Sequence, residues 1–472
     1  MSKNSVRKRA IVIGGGITGL AACYRLQREA AQRDIPLDLI LLEASERVGG
    51  VIQTEHRDGF LIEHGPDAFI STKPSAKALC EELGIADQLI GTNSKVRRSF
   101  VIRNGTLHPV PEGFYMMAPG SFMPFLKSPL FSWHGKLRMA FDLFIPRRER
   151  DTDEAVAHFV RRRLGTEAFT RMAQPMIGGI YTSDAENLSL KATFPRFLEM
   201  EKTHGSIIKA LRAQKKQAAE TSRDTSGPRY SLFLSFKSGM QTLIDKLTEA
   251  VFDSIRLNAR VEHIQQTPDD NGWIVSLANG ETLNSELLCI ALPTPQTGTL
   301  VQDVSKPLAT KLDAIPYASS ATVNFAFRRS DVTHPLNGMG FVVPATENLS
   351  LIGCSFSSVK FESRAPAEHV LLRAFVGEPT SKKSETELIE LCQADLTPLL
   401  GFKNAPQFAI VSTHSQAMAQ YQVGHQDLVS DIERFANGLQ GFALAGNGYH
   451  GVGIPDCIRS GEAAALSLLD TL

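Results

Sequence analysis

Three glycines, Gly14, Gly16 and Gly19, stand in the spacing G-x-G-x-x-G, and Glu43 follows 24 residues after the last of them. Each glycine in that pattern has its own task. Gly14 allows a tight turn, Gly16 lets the main chain approach a pyrophosphate, and Gly19 lets a helix lie close to a strand. Gly15 lies inside the turn, and Ile17 and Thr18 open the helix. A helix starting there aims free N–H groups and partial positive charge at phosphate oxygens. The Glu43 carboxylate, followed by Ala44, suits ribose hydroxyls and repels a 2′-phosphate. The chemistry these residues point to is the holding of a dinucleotide.

A second glycine-rich stretch, Gly446-Asn-Gly-Tyr-His-Gly-Val-Gly-Ile-Pro-Asp-Cys457, lies near the other end of the chain. It has no strand–acid unit of its own. Phe442–Ala445 reads as a short strand leading into Gly446, and Ile458–Leu469 reads as a helix. Gly453, Ile454, Pro455 and Asp456 therefore read as a second helix N-terminus, aimed at the same dinucleotide. Asn447–His450 has no role legible from sequence. No nucleophile–base arrangement, H-E-x-x-H, Walker loop or paired-carboxylate motif is present.

These residues need elements to position them. KRAIVI (residues 8–13) reads as a buried strand, Ile17–Gln32 as a helix, and LDLILL (residues 37–42) as a second strand. Residues 151–212 read as helices with Arg161–Arg163 as a solvated basic face, and 213–229 reads as a polar mobile loop. Strand patterns recur at 255–264, 286–293, 321–327 and 370–376. Phe114–Met117, Phe122–Leu126 and Leu130–Trp133 are apolar clusters broken by Pro and Gly. They suit the walls of an apolar pocket, contact with a membrane surface, or core.

Length and charge narrow the class. A chain of 472 residues suggests about three domain-sized units. Fifty basic and fifty acidic residues give zero net charge, which argues against a nucleic-acid partner. Six scattered cysteines without a CxxC pair indicate reduced thiols, no metal site and a cytoplasmic location. The basic residues Met1–Arg9 precede an apolar run broken by Gly14–Gly16, which does not read as a signal peptide. No apolar run approaches the roughly 20 residues a spanning helix needs.

Glu43-Ala-Ser-Glu-Arg-Val-Gly-Gly50 resembles the E-x(3)-R-x-G-G signature of a large FAD family that includes amine oxidases, phytoene desaturases and protoporphyrinogen oxidases. Together with Gly65-Pro66-Asp67-Ala68-Phe69, Gln174–Tyr181, Phe194-Pro195, Gln420–His425 and Gly451–Cys457, it looks like the soluble, Gram-positive type of protoporphyrinogen or coproporphyrinogen III oxidase. The likeness runs end to end. It implies an α/β fold with a discontinuous Rossmann-type FAD domain (1–90, 230–295, 425–472). A mixed-sheet substrate domain (91–120, 296–424) and a helical subdomain (121–229) complete it.

The resemblance implies non-covalent FAD held by Gly14–Gly19, Glu43, Ala44, Arg47, Gly49, Gly50, Gly65–Ala68, Val261, His414, Gly446 and Gly453–Asp456. Lys73, Ile180 and Tyr181 fall where the family contacts substrate. The implied reaction is oxygen-dependent, six-electron oxidation of a porphyrinogen to a porphyrin with hydrogen peroxide. Peripheral membrane contact and hand-over to a downstream haem-pathway enzyme are the implied partners. The chain departs from relatives in two places: His414 stands where an aromatic, usually Trp, is common, and Ala419 replaces a common proline. An amine oxidase, a carotenoid desaturase and a flavin-less prenyl-GTPase escort are the rival readings on the same fold.

Overall fold

In the computed structural model, residues 7–96, 98–149, 152–182, 185–221 and 232–472 are described. Lys8–Ile13 and Leu37–Leu42 lie side by side as parallel strands, with Val12 opposite Leu41. Val12 also faces Cys289 of the strand Leu287–Ile290, which in turn pairs with Phe442–Leu444. Ile255–Arg256 closes the other edge, so strands from four distant stretches form one five-stranded parallel sheet. Its middle strands are buried on both faces, which is why they read as continuous apolar runs rather than alternating ones.

The first helix, Ile17–Gln32, follows the first strand, and the C-terminal helix, Ile454–Leu469, follows the last. The two pack so closely that a Cβ on Gly461 would overlap the Thr18 carbonyl oxygen.

A seven-stranded mixed sheet makes the second layer. Its order is Phe408–Ala419, Tyr317–Arg328, His369–Gly377, Leu351–Ser355, Gly340–Val342, Phe100–Arg103 and Thr106–Pro109. The pairing is antiparallel except between Gly340–Val342 and Phe100–Arg103. Phe325, Phe327, Leu372 and Leu388 fill one face of it. Among the described residues no helix is long and apolar enough to cross a membrane.

The helical region corrects two expectations. Arg161–Arg163 is not a solvated face. Arg163 sits at a buried position of Val156–Leu164 beside Phe159, Val160 and Leu164. Its Nε donates to Asp142 at 2.6 Å, and its other nitrogens reach the carbonyls of Asp142, Ile145 and Gly205. Arg162 donates to Glu154 and Glu201, and Arg161 to Glu186. A fully buried guanidinium stands only when its donors are satisfied in this way.

The segment expected to be a loop from 213 is helix through Thr221, part of Ile207–Thr221. Its AQKKQAAE run is made of strong helix formers. Residues 222–231 of that expectation lie outside the described residues.

The apolar clusters divide. Met117, Phe125, Leu130 and Phe131 are core, whereas Phe122, Met123 and Trp133 face solvent.

Candidate active site

Both glycine loops sit at the carboxyl ends of the parallel strands, where open α/β sheets take ligands. The Gly14 N–H donates to the Leu42 carbonyl at 2.8 Å, and Gly14 adopts φ +104°, a conformation that favours glycine. A Cβ on Gly19 would overlap the Gly14 carbonyl oxygen, so this glycine is demanded by the helix–strand approach. Gly16 differs, because a Cβ there meets nothing within 4 Å. It borders open space at the N-terminus of the first helix.

Glu43 accepts from the Gly15 N–H at 2.7 Å and from the Ser45 N–H and hydroxyl at 2.8 Å. Oε1 is filled by the two Ser45 donors, whereas Oε2, with Gly15 alone, retains a lone pair for another donor. Ala44 lies between these two contacts. The Ala259 N–H donates to the Glu43 carbonyl, which brings Val261, the start of Val261–Gln266, close to the same corner. Gly16 and Gly49 form a bridge, so the Gly49-Gly50 pair lies against the first loop.

The second loop arrives beside the first. Thr18 meets the Cys457 thiol, and Gly453 caps the C-terminal helix with Pro455 in its first turn. The Gly446 N–H donates to Ser460 Oγ at 3.0 Å. The N-termini of the two helices therefore lie side by side.

Tyr181 ends the helix Gln174–Tyr181, and burial, with the Asp456 charge, raises its hydroxyl pKa. Asp456 in turn accepts from Lys73 Nζ at 2.6 Å. Lys73, Tyr181 and Asp456, expected at the site from separate stretches, thus converge. Ile180 is 45% exposed and is not core. Next to it, a cleft of about 680 Å³ runs between the helical region and the seven-stranded sheet, walled by Phe169, Gln174, Thr182, Ala318, Ile352 and Gln420 among others. Gln420 Nε2 donates to the Tyr181 carbonyl at 3.1 Å, which joins cleft wall and cluster.

Residues 17–469 match the family of flavin-containing amine oxidoreductases. The chain belongs to that family. It is 32% identical to the coproporphyrinogen III oxidase of Bacillus subtilis (strain 168), with 99% of each chain covered. The coproporphyrinogen III oxidase of Staphylococcus aureus is 31% identical, over 98% of this chain and 100% of that one. A crystal structure from Exiguobacterium sp. 255-15, carrying the provisional name protoporphyrinogen oxidase, matches with TM-score 0.86 and 30% identity, 99% of each chain being covered.

The family's cofactor is FAD, and the residues present fit it. The open space at Gly16, the two adjoining helix N-termini and the Glu43 carboxylate are what a pyrophosphate and a ribose require.

Several expected residues make contacts to neighbouring protein groups. Arg47 was expected to help hold FAD; its guanidinium donates to the carbonyls of Val48, Gly50 and Ile52. Three of its five N–H groups are engaged by its own loop, so Arg47 shapes the Gly49-Gly50 turn. Asp67 is held by Lys360 at 2.8 Å, and burial is outweighed by Lys360 and Arg373, which keep its carboxyl below its ordinary range. Gly65 is demanded by packing, since a Cβ would overlap the Val51 carbonyl oxygen; Pro66 and Ala68 lie in the same irregular stretch. His414 Nε2–H donates to the His64 carbonyl at 3.0 Å, and burial lowers its pKa.

His450 pairs with Glu433 at 2.6 Å, and His108 lies on the strand Thr106–Pro109. Neither joins the cluster. The six thiols are buried, and burial pushes that of Cys457 up to about 11. Among the described residues no group of three or more His, Cys, Asp and Glu could hold a metal ion.

Residues the sequence did not single out hold the second loop. Tyr317 OH donates to Asn447 Oδ1 at 3.1 Å and accepts from the Thr294 N–H. Asn447 Nδ2 donates to the Ala417 carbonyl, and His425 Nε2–H to the Tyr449 carbonyl.

Proposed function

We propose that this protein oxidises coproporphyrinogen III to coproporphyrin III, with protoporphyrinogen IX as a related substrate, and that O₂ is the final acceptor. End-to-end identity to coproporphyrinogen III oxidases carries this reading. The geometry supports it with a cleft of a size suited to a macrocycle, its wall mixing Phe169, Ala318 and Ile352 with polar and charged side chains, near the Lys73–Asp456–Tyr181 cluster. FAD, when bound, supplies the hydride acceptor.

The protein's own residues do the rest. Both helix N-termini and Glu43 hold the dinucleotide. Lys73 offers a cation to a carboxylate arm, and Asp456 fixes its position. Ile180 and Tyr181 wall the macrocycle and exclude water. Porphyrinogen and three O₂ give porphyrin and three H₂O₂, which balances six hydrogens and six electrons. The division into a discontinuous FAD domain, a substrate domain and a helical subdomain, and the non-covalent hold on FAD, belong to the same proposal.

An outward-facing apolar stripe supports contact with an anionic lipid surface. Trp133 and Leu137 on the helix Trp133–Ala140, then Phe141 and Phe144, recur at helical spacing, and all four face solvent; Trp133 is 67% and Phe144 79% exposed. Phe122 and Met123 are exposed nearby. Between residues 113 and 148 there are five Lys and Arg, of which Lys136 is buried, against one acid, the buried Asp142. Aromatic residues flanked by cations suit a membrane interface.

The test of the main reading is porphyrin fluorescence with coproporphyrinogen III and protoporphyrinogen IX side by side, with and without O₂. An oxygen-dependent rise with coproporphyrinogen III supports the proposal; no rise with either refutes it. Hydrogen peroxide should accumulate in step with the porphyrin.

A further inference from the structure

The stretch Asn447–His450 carries no ligand-binding signature, yet it is clamped from outside at several main-chain points. Tyr421, 2% exposed, provides two of them. Its hydroxyl donates to the Asn447 carbonyl at 2.7 Å and accepts from the Gly451 N–H at 2.7 Å. One phenol oxygen thus bridges both ends of the loop. The Tyr421 ring lies flat on His425, centroids 3.9 Å apart and planes 13° off parallel, and His425 holds the Tyr449 carbonyl at 2.9 Å.

The same residue touches the other parts of the molecule. The Ser189 N–H, from the helical region, donates to the Tyr421 carbonyl at 2.7 Å. Gln420, its neighbour, lines the cleft and reaches the Tyr181 carbonyl. Asn447 is tied by its side chain to Tyr317 and to the Ala417 carbonyl, both in the seven-stranded sheet. Gly446–Gly453 runs from the parallel sheet into the N-terminus of the C-terminal helix.

We infer that Tyr421 is a positioning residue for the cofactor: its hydroxyl, with Asn447 and Tyr317, fixes the second glycine loop so that the C-terminal helix N-terminus meets FAD in register with the cleft. The inference rests on the proposed placement of FAD between the two glycine loops. A hydroxyl satisfying one donor and one acceptor of the loop narrows its main-chain freedom before the ligand arrives, and such ordering strengthens binding. A phenylalanine in its place keeps the stack on His425 and the volume, and leaves the Gly451 N–H and Asn447 carbonyl without these partners.

The experiment uses the full chain, stripped of flavin and titrated with FAD. Dissociation constant, visible circular dichroism of the bound flavin and thermal stability of the flavin-free protein are followed. Tyr421→Phe should raise the FAD dissociation constant about tenfold. It should also change the visible dichroism and alter flavin-free stability little.

Tyr449→Phe is the matched comparison, because the Tyr449 hydroxyl is buried with no partner among the described residues. It should leave FAD affinity unchanged. Tyr317→Phe, which removes the link to Asn447 from the other side, should weaken FAD in the same direction. That variant decides the matter should Tyr421→Phe fail to fold.

An unchanged dissociation constant in the folded Tyr421→Phe protein, or equal losses in Tyr421→Phe and Tyr449→Phe, overturns the inference. A lower flavin-free stability with full affinity would make Tyr421 structural only, and also overturns it. Failure of the unaltered protein to bind FAD would instead refute the proposed function.

Discussion

Replacing Gly16 by valine separates folding from cofactor retention. In the flavin-free protein a Cβ at Gly16 meets nothing within 4 Å, and its main chain, φ −69° and ψ 177°, is one any residue adopts. The expected cost to folding is that of a poorer helix start, about 1 kcal/mol. The cost to FAD is of another order. Valine's methyl groups would occupy the space through which a pyrophosphate reaches the helix N-terminus. Losing two charge-assisted hydrogen bonds there amounts to about 3–6 kcal/mol, a weakening of roughly a hundredfold to ten-thousandfold.

The assay is flavin content after purification, followed by FAD titration, with thermal melting of the flavin-free form alongside. Gly16→Val should emerge colourless and folded. Gly19→Ala, whose Cβ would overlap the Gly14 carbonyl oxygen, should instead lose stability whether or not FAD is present. A Gly16→Val protein that retains FAD with unchanged affinity would show that the space at Gly16 is not the pyrophosphate site.

Arg163→Met should destabilise the protein by about 3–5 kcal/mol in denaturant melts, because Asp142 would be left buried without its partner; Arg163→Met with Asp142→Leu should recover part of that loss. Burial lowers the pKa of both His414 and His425 from the ordinary 6.5, so the unfolded chain binds protons that the fold does not. Their contribution is present above that value and is lost as pH falls through the folded values, so the melting temperature should drop on going from about pH 7 to about pH 5, less steeply in His425→Gln. Lys73→Met should raise KM for coproporphyrinogen III about tenfold with a smaller effect on kcat, as for loss of a charged contact. Trp133→Ser with Phe144→Ser should abolish flotation with phosphatidylglycerol vesicles while leaving turnover of dispersed substrate unchanged; equal flotation of both forms would refute the membrane contact.

The first glycine loop was legible because its residues are local: strand, turn, helix, strand and acid lie within 43 residues, and each has a periodicity or a spacing. The second loop was legible as a helix start for the same reason. What holds it was not. Tyr421 acts on groups 26 and 30 residues further on, and nothing in its own neighbourhood predicts a phenol shared between an N–H and a carbonyl.

The basic run Arg161–Arg163 misled because three adjacent cations look like a surface. Helical geometry puts Arg163 on the same inward face as Phe159, Val160 and Leu164, and its counter-charge, Asp142, comes from 21 residues away. Arg47 was placed at FAD by the family resemblance, and the carbonyls it also meets belong to its own loop and appear only once the turn is built. A distant counter-charge decided the first case, and the built turn of the loop the second.

Anaerobic mixing of the FAD-loaded protein with coproporphyrinogen III tests the account at its centre, because it watches the flavin and the substrate in one step. The flavin's visible absorption should bleach as porphyrin forms and return when O₂ is admitted, and benzylamine in place of the porphyrinogen should leave it untouched. Bleaching by the amine and not by the porphyrinogen would contradict the account.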